Sequence, residues 1–130
     1  MNAGLNDAQK SAVETLAGPM LVLAGAGSGK TRVVTYRIAN LIRHGIQPSR
    51  ILAVTFTKKA AMEMQQRVAD LITLDTSDHP EISTFHSLCV RILRRQIDQL
   101  GYPPNFTIMD AADQASICRK LLREIRVPDS

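Results

Sequence analysis

At 130 residues the chain is long enough to bury a hydrophobic core, and typical single domains have roughly 100–200 residues. Its 45% hydrophobic and 22% charged residues exclude a disordered or collagen-like protein. A net charge of +4 weakly favours a polyanionic partner. The sequence contains no apolar run of about 18 residues, as a membrane span requires, and no signal-peptide layout at its start. We therefore expect a soluble, cytoplasmic protein.

The cysteines, Cys89 and Cys118, lie in apolar stretches with helical spacing. Such cysteines usually behave as small hydrophobic residues. We therefore expect two buried free thiols rather than a disulfide or a metal site.

Three short apolar runs predict β-strands, at Met20–Ala24, Ile51–Thr55 and Glu81–Thr84. A half-exposed strand would alternate apolar and polar residues, whereas these runs are continuous. Continuous runs are typical of strands that are covered on both faces, as in a parallel sheet.

Between and after these runs, apolar residues recur every three or four positions, which is the spacing of one buried helix face. The four sets are Val34, Ile38 and Leu41 before Gly45; Ala61, Met64, Val68 and Leu71; Leu88 and Ile92; and Cys118, Leu121, Leu122 and Ile125. Residues 101–105 predict a loop, and Asp110 predicts the N-cap of a last helix. Strands that alternate with helices favour an α/β fold with a parallel sheet.

A glycine-rich segment lies between the first predicted strand and the first long predicted helix. It matches the phosphate-binding loop pattern, with alanine where the first glycine often stands. Its residues are Ala24, Gly25, Ala26, Gly27, Ser28, Gly29, Lys30 and Thr31. The glycines let backbone N–H groups point at phosphate oxygens, and the following helix adds its positive end.

We expect Lys30 to reach the β- and γ-phosphates of ATP and the Thr31 hydroxyl to be a ligand of Mg²⁺. These two residues are the predicted catalytic residues of the segment. Kinases, GTPases, transporters and helicases all use such a loop, so it does not identify the reaction by itself.

Four segments, in order and spacing, resemble the UvrD/Rep/PcrA family of superfamily 1 DNA helicases. The first, Leu5–Gln9, is similar to the family's glutamine motif, which implies that Gln9 reads the adenine edge. A glutamine amide donates and accepts at once, which suits adenine N6 and N7 and disfavours guanine. The second segment is the phosphate loop, where the family commonly shares Ala24. The resemblance also implies a place near the adenine for Arg32.

The third segment, Ile51–Arg67, resembles the family's motif Ia, which meets single-stranded DNA. Phe56 offers a flat face for a base, and Thr57 with the start of the next helix offers donors to a phosphate. Lys58 stands where the family commonly has asparagine, so it keeps phosphate attraction but lacks a neutral acceptor.

The fourth segment, Thr84-Phe-His-Ser87, resembles the family's next DNA-contacting motif. This resemblance implies that Thr84 and His86 touch the DNA, while Phe85 belongs either to the DNA surface or to the core. Downstream, three arginines share one helical face, which suits a phosphate track or a solvated face: Arg91, Arg94 and Arg95.

The Asp-Glu pair that the family uses for hydrolysis does not occur in the sequence. The second RecA-like domain, whose arginines neutralise charge on the transferring phosphoryl group, is absent too. We therefore interpret the chain as an amino-terminal fragment with an incomplete P-loop NTPase (RecA-like) parallel sheet and flanking helices. Residues 1–108 would belong to the first RecA-like ATP-binding domain, and residues 109–130 would start a helical insertion. The fragment should bind ATP weakly and neither hydrolyse ATP efficiently nor unwind DNA.

The resemblance implies an ATP-dependent DNA helicase as the parent, with ATP and Mg²⁺ as cofactors and single-stranded DNA or a single-strand/duplex junction as partner. It also implies 3′-to-5′ polarity and a role in DNA repair or replication restart. We expect no membrane association, and we expect self-association of the fragment through unpaired sheet edges.

Three alternative functions remain open on the sequence. The parent can be a helicase–nuclease subunit, which shares these motifs. A P-loop kinase of a small molecule would leave Phe56 and the Thr84–Ser87 segment unexplained. A truncated natural module that holds nucleic acid without turnover is the third alternative.

Overall fold

The computed structural model describes residues 4–72 and 78–125, which form a mixed α/β structure with a small parallel sheet. The helices are α1 (Asp7–Glu14), α2 (Lys30–Arg43), α3 (Lys58–Leu71), α4 (Phe85–Gln96) and α5 (Ala111–Glu124). The strands are β1 (Leu52–Thr55) and β2 (Glu81–Thr84), and short 3-10 helices lie at Pro48–Arg50 and Ile97–Leu100. The chain divides into two compact units between Cys89 and Val90, inside α4.

The sheet of the first unit consists of β1 and β2, which pair in parallel with Thr55 opposite Thr84. Helix α3 lies between them in the chain, so this part is the predicted βαβ unit. Because the strands are parallel, both carboxyl ends lie at one edge of the sheet. Phe56 follows the first end, and Phe85 follows the second.

The main core of the first unit lies between this sheet and helices α2 and α3. The predicted face of α3 is confirmed, since Ala61, Met64 and Val68 are buried. Val68 is only 1% exposed, and full burial of such a side chain contributes about 1.5–3 kcal/mol to folding. The buried members of this core are Ile38, Ile51, Met64, Val68 and Ile82.

A second, smaller cluster joins α1 to α2. Helix α1 has 8 residues, and isolated helices shorter than roughly 12–15 residues are marginal in water. Its packing against α2 therefore stabilises it. The buried members of the cluster are Leu5, Ala12, Val13 and Val33, with Tyr36 packed against them.

The prediction of a strand at Met20–Ala24 is wrong. Residues 19–25 have no regular secondary structure, and Leu21 and Leu23 are 82% and 86% exposed. A strand needs a neighbour to bond its backbone N–H and C=O groups, and within residues 4–72 and 78–125 only β1 and β2 pair. A continuous apolar run indicates burial, but it does not show whether another strand is available to pair with it.

The second unit contains most of α4, the loop after it and α5. Asp110 is the N-cap of α5, as predicted, because its side chain accepts a hydrogen bond from the Asp113 N–H at 2.8 Å. The predicted apolar face of α5 is exposed, however, and Leu121 is 52% accessible. Cys89 and Cys118 are free thiols, as expected, but both are exposed, so the prediction of their burial is wrong. Helical spacing defines an apolar face, whereas burial also requires a surface that covers it.

Arg94 stabilises the loop between α4 and α5. Its guanidinium donates to the carbonyl oxygens of Pro104 at 2.8 Å and Phe106 at 3.2 Å. The guanidinium carbon also lies 4.7 Å from the centroid of the Phe106 ring. Arg94 therefore has a structural role in this loop. The domain boundary between residues 108 and 109 stays a prediction.

None of the helices in the described part of the chain combines the length and the apolar character that crossing a membrane requires.

Candidate functional site

The phosphate loop, residues 24–31, leads directly into α2, which begins at Lys30. Gly27 and Gly29 have φ angles of 73° and 81°, in the left-handed region that glycine adopts without strain. Gly29 is the N-cap of α2, and no side chain of the described residues caps this end. The first N–H groups of any α-helix have no acceptor within the helix, and together with the helix dipole those at the start of α2 favour an anion.

Lys30 folds back onto the phosphate loop. Its ammonium donates to the carbonyl oxygens of Ala24 at 3.0 Å and Gly25 at 2.6 Å. The Ser28 hydroxyl donates to the same Gly25 oxygen at 2.7 Å. Hydrogen bonds between two charged groups are stronger than those to neutral carbonyls, so a phosphate oxygen can replace these acceptors.

Gln9 connects α1 to the phosphate loop. Its Nε2 donates to the Ser28 carbonyl at 2.9 Å, and its Oε1 accepts from the Asn6 N–H at 3.0 Å. A glutamine amide has two N–H donors and two lone pairs, so one donor and one acceptor remain for a ligand. A Cβ at Gly29 would lie 3.1 Å from Gln9 Nε2, which explains why glycine suits this close approach.

A cavity of about 210 Å³ lies between α1, the loop and the segment before it. Polar groups of Gln9 and Lys30 and apolar side chains such as Val22 and Val33 line it. Typical ligand pockets measure roughly 300–1,000 Å³, so a bound nucleotide would extend over the exposed loop.

Arg32 is tied to the start of the described chain. Its Nη1 donates to the Gly4 carbonyl at 3.3 Å, and its guanidinium carbon lies 5.4 Å from the centroid of the Tyr36 ring. The place of Arg32 near an adenine stays a prediction.

Thr31 is half-buried in the first turn of α2.

A second group of predicted residues lies where β1 and β2 end, and we call Phe56, Thr57, Phe85 and His86 the strand-end edge. The rings of Phe56 and Phe85 are 5.6 Å apart between centroids and are tilted by 52°. Phe56 is 84% exposed and Phe85 is 45% exposed. Two accessible aromatic rings at one sheet edge are suited to stacking against a planar group.

Thr57 is the N-cap of α3, since its hydroxyl accepts from the Ala60 N–H at 3.1 Å. Next to it, Lys58 is exposed in the first turn of α3. The Thr57 hydroxyl is thus already hydrogen-bonded within the helix end, whereas the Lys58 side chain is accessible to a ligand.

Thr84 has a different environment from its neighbours. It is only 5% exposed, and its hydroxyl accepts from the Ser87 N–H at 3.1 Å. The structure therefore places Thr84 beneath the first turn of α4, while His86 is exposed.

The family model for the UvrD/REP helicase N-terminal domain matches residues 5–129 of the chain. The chain belongs to the UvrD/REP helicase family. Both groups of residues described above, the phosphate loop with Gln9 and the strand-end edge, lie inside the matched UvrD/REP region.

Individual relatives support the assignment to the UvrD/REP family. The chain is 54% identical over 124 residues to the ATP-dependent DNA helicase PcrA of Bacillus subtilis, a match that covers 94% of the chain and 16% of the relative. It is 51% identical over 120 residues to PcrA of Staphylococcus aureus strain Mu50, with 92% and 16% covered. PcrA of Leuconostoc citreum is 47% identical over 125 residues, with 95% and 17% covered. The chain thus spans about a sixth of the length of these relatives.

Three residues that support the phosphate loop and Gln9 were missed by sequence analysis. Asn6 forms a reciprocal capping box with Gln9, and the three-residue spacing of this pair was a readable signal. Arg37 and Asn40 of α2 donate to carbonyls near the end of α1. No local pattern reveals these contacts, since the partners lie more than 20 positions apart.

Proposed function

We propose that this chain is the ATP-binding, amino-terminal part of a DNA helicase that moves along single-stranded DNA. The observation that carries the proposal is the hydrogen bond of 2.9 Å from Gln9 to the phosphate loop. It brings a group able to read a base next to groups able to bind phosphates. Membership of the UvrD/REP family and similarity to the ATP-dependent DNA helicase PcrA favour a helicase over a small-molecule kinase.

The phosphate loop would bind the triphosphate of ATP. The backbone N–H groups at the start of α2 and the Lys30 ammonium would surround the phosphate oxygens. Thr31 would contribute a hydroxyl to Mg²⁺, with phosphate oxygens among the other ligands. In the whole helicase, hydrolysis of bound ATP would supply the free energy for movement along DNA.

Gln9 would select adenine through its remaining donor and acceptor. Adenine presents N7 as an acceptor and N6 as a donor, whereas guanine presents acceptors at both positions. A bond from Gln9 Nε2 to N7 and a bond from N6 to Gln9 Oε1 therefore suit adenine alone. Both can form while Gln9 keeps its bonds to Ser28 and Asn6, because Nε2 has a second N–H and Oε1 has a second lone pair.

The strand-end edge would bind single-stranded DNA. Phe56 is the exposed ring on which a base can stack, and Phe85 supports it from 5.6 Å away. His86 and Lys58 are exposed next to the rings and would meet the DNA backbone. We give Thr84 a positioning role, since it is buried beneath α4.

Several finer features of the proposal rest on the family resemblance. They are a RecA-like parallel sheet, 3′-to-5′ movement and a role in DNA repair or replication restart. Self-association of the isolated chain is proposed separately, because Leu21 and Leu23 expose apolar surface on an unpaired segment.

Titration of a fluorescent ATP analogue with Mg²⁺ tests the nucleotide site, with unlabelled ATP and GTP as competitors. A lost charge-assisted hydrogen bond costs about 1.5–3 kcal/mol, so Lys30→Ala should weaken binding about 10- to 150-fold. Lys120→Ala in α5 removes the same charge from the second unit and should bind like the wild type. Equal binding by the wild type and Lys30→Ala, or a preference for GTP, would refute the site.

A further inference from the structure

Helix α1 carries Gln9, but α1 alone cannot fix the position of this side chain. It has 8 residues, and its amino-terminal end is capped by the reciprocal bonds between Asn6 and Gln9. Its last turn has no basic residue, although a helix end exposes carbonyl groups that favour a positive charge. The bonding partners of those carbonyls therefore add to the apolar packing that holds α1 against α2.

Two side chains of α2 supply the missing partners. Arg37 Nη1 donates to the Ala12 carbonyl at 2.8 Å and also to the Thr15 carbonyl. Asn40 Nδ2 donates to the Val13 carbonyl at 3.1 Å. Three carbonyls at the end of α1 are thus bonded by α2, the helix that begins at the phosphate loop.

Gln9 lies on the face of α1 that these contacts hold against α2. It precedes Val13 by four positions, so the two side chains share one helix face. Val13 is 3% exposed and belongs to the cluster that includes Val33 of α2. Movement of α1 along or around α2 would therefore shift the Gln9 amide relative to Ser28.

We propose that Arg37 and Asn40 are positioning residues that set the adenine selectivity of Gln9. They bond the carboxyl-terminal end of α1, while the Gln9 amide lies near the opposite end against the phosphate loop. Helix α2 supplies both the side chains that bond α1 and the N-terminus next to the phosphate loop. It therefore holds Gln9, which would read the base, in a fixed position relative to the groups that would bind the phosphates. This inference rests on the proposed ATP site.

The structural consequence is measurable without a nucleotide. In the nucleotide-free chain, the NMR signals of the Gln9 side-chain amide report its bond to the Ser28 carbonyl. Arg37→Ala should move these signals toward those of a solvent-exposed glutamine and speed their exchange with water. Arg37→Lys should restore much of the wild-type signal, because both Arg37 bonds come from one nitrogen and an ammonium can also donate twice.

Arg43→Ala is the matched control. Arg43 is also an arginine of α2, and it donates to the Leu71 carbonyl at 3.0 Å. The variant therefore removes the same charge and the same kind of bond, but from the contact with α3. The Gln9 amide signals should stay unchanged.

The functional readout is the ratio of ATP to GTP affinity. Loss of one hydrogen bond between Gln9 and adenine corresponds to about a fivefold change, so Arg37→Ala should reduce the ATP preference about fivefold. Asn40→Ala removes one bond to α1 instead of two and should reduce the preference less. Binding of inorganic triphosphate, which has no base, should stay unchanged in both variants. A general loss of folding would lower triphosphate binding as well and would also appear in the circular dichroism spectrum.

The outcomes separate the two proposals. If the Gln9 signals move in Arg37→Ala and the ATP preference falls, the positioning role is supported. If the wild type and Lys30→Ala bind nucleotide equally, the proposed function fails, and the assignment of Arg37 to adenine selectivity fails with it. If the wild type prefers ATP but Arg37→Ala leaves the Gln9 signals and this preference unchanged, the positioning role alone is overturned. An equal effect of Arg43→Ala would overturn it too.

Discussion

In the phosphate loop, the polar groups of Gln9 and Lys30 are hydrogen-bonded to loop carbonyls, whereas at the strand-end edge the rings of Phe56 and Phe85 are exposed and contact each other. A ligand at the loop must replace the carbonyl acceptors of Lys30 and fit the remaining donor and acceptor of Gln9, which makes binding sensitive to geometry. A ligand at the edge adds stacking contacts to accessible rings, which makes binding tolerant of sequence. The first region is therefore suited to selecting one nucleotide, and the second to holding varied bases.

The largest effect that we expect from this comparison is at the strand-end edge. Base stacking on an aromatic side chain contributes about 1–3 kcal/mol, so Phe56→Ala should weaken single-stranded DNA binding about 5- to 150-fold. The measurement is fluorescence anisotropy with a labelled single-stranded oligonucleotide at low salt.

Tyr102→Ala is the control for Phe56→Ala. It removes an aromatic side chain that is 64% exposed in the second unit, and it should leave DNA affinity unchanged. Equal losses from the two variants would show that DNA does not stack specifically at the strand-end edge.

The next effect separates backbone strain from the contact with Gln9. Gly29 and Gly45 have φ angles of 81° and 85°, where a Cβ costs about 1–2 kcal/mol, so alanine at either should lower the free energy of unfolding by that amount. Only a Cβ at Gly29 approaches Gln9, at 3.1 Å, whereas a Cβ at Gly45 meets no described atom within 4 Å. Only Gly29→Ala should therefore reduce the ATP preference.

Urea unfolding and nucleotide competition measure these two properties in the same pair of variants. An unchanged ATP preference in Gly29→Ala would mean that Gln9 does not act through its contact with the loop.

The smallest effect compares two helix caps. Asn6 caps α1 and Thr57 caps α3, and replacing such a residue by alanine typically costs about 1 kcal/mol of stability. Asn6→Ala also removes the acceptor of the Gln9 backbone N–H, which Thr57→Ala leaves intact. Both variants should unfold at lower urea concentration, and only Asn6→Ala should also lower the ATP preference. Loss of that preference in Thr57→Ala would contradict the division between the two regions.

The strands show how far apolar patterns predict a fold. β2 coincides with the predicted run Glu81–Thr84, and β1 begins one residue inside the run Ile51–Thr55. Both pair with each other and pack against α3, so pattern and pairing agree. The run Met20–Ala24 has the same pattern but lacks a partner in the described chain, and strand formation depends on that partner.

The site shows a similar limit. A glycine-rich turn that leads into a helix could be predicted at residues 24–31, because its glycines and Lys30 lie within eight consecutive positions. Phosphate binding by this loop stays a prediction. The contacts of Arg37 and Asn40 could not be predicted, because 25 and 27 positions separate donor and acceptor. Such contacts depend on how α1 packs on α2.

The central claim is that the phosphate loop and Gln9 form one ATP site, and a ¹⁵N–¹H NMR titration with Mg²⁺ and ATP tests it most directly. We predict that the backbone signals of residues 27–31 and the side-chain amide of Gln9 shift together and saturate at the same ATP concentration. We also expect the signals of α5 to stay in place. Shifts confined to other segments, or loop shifts without any change at Gln9, would contradict the account.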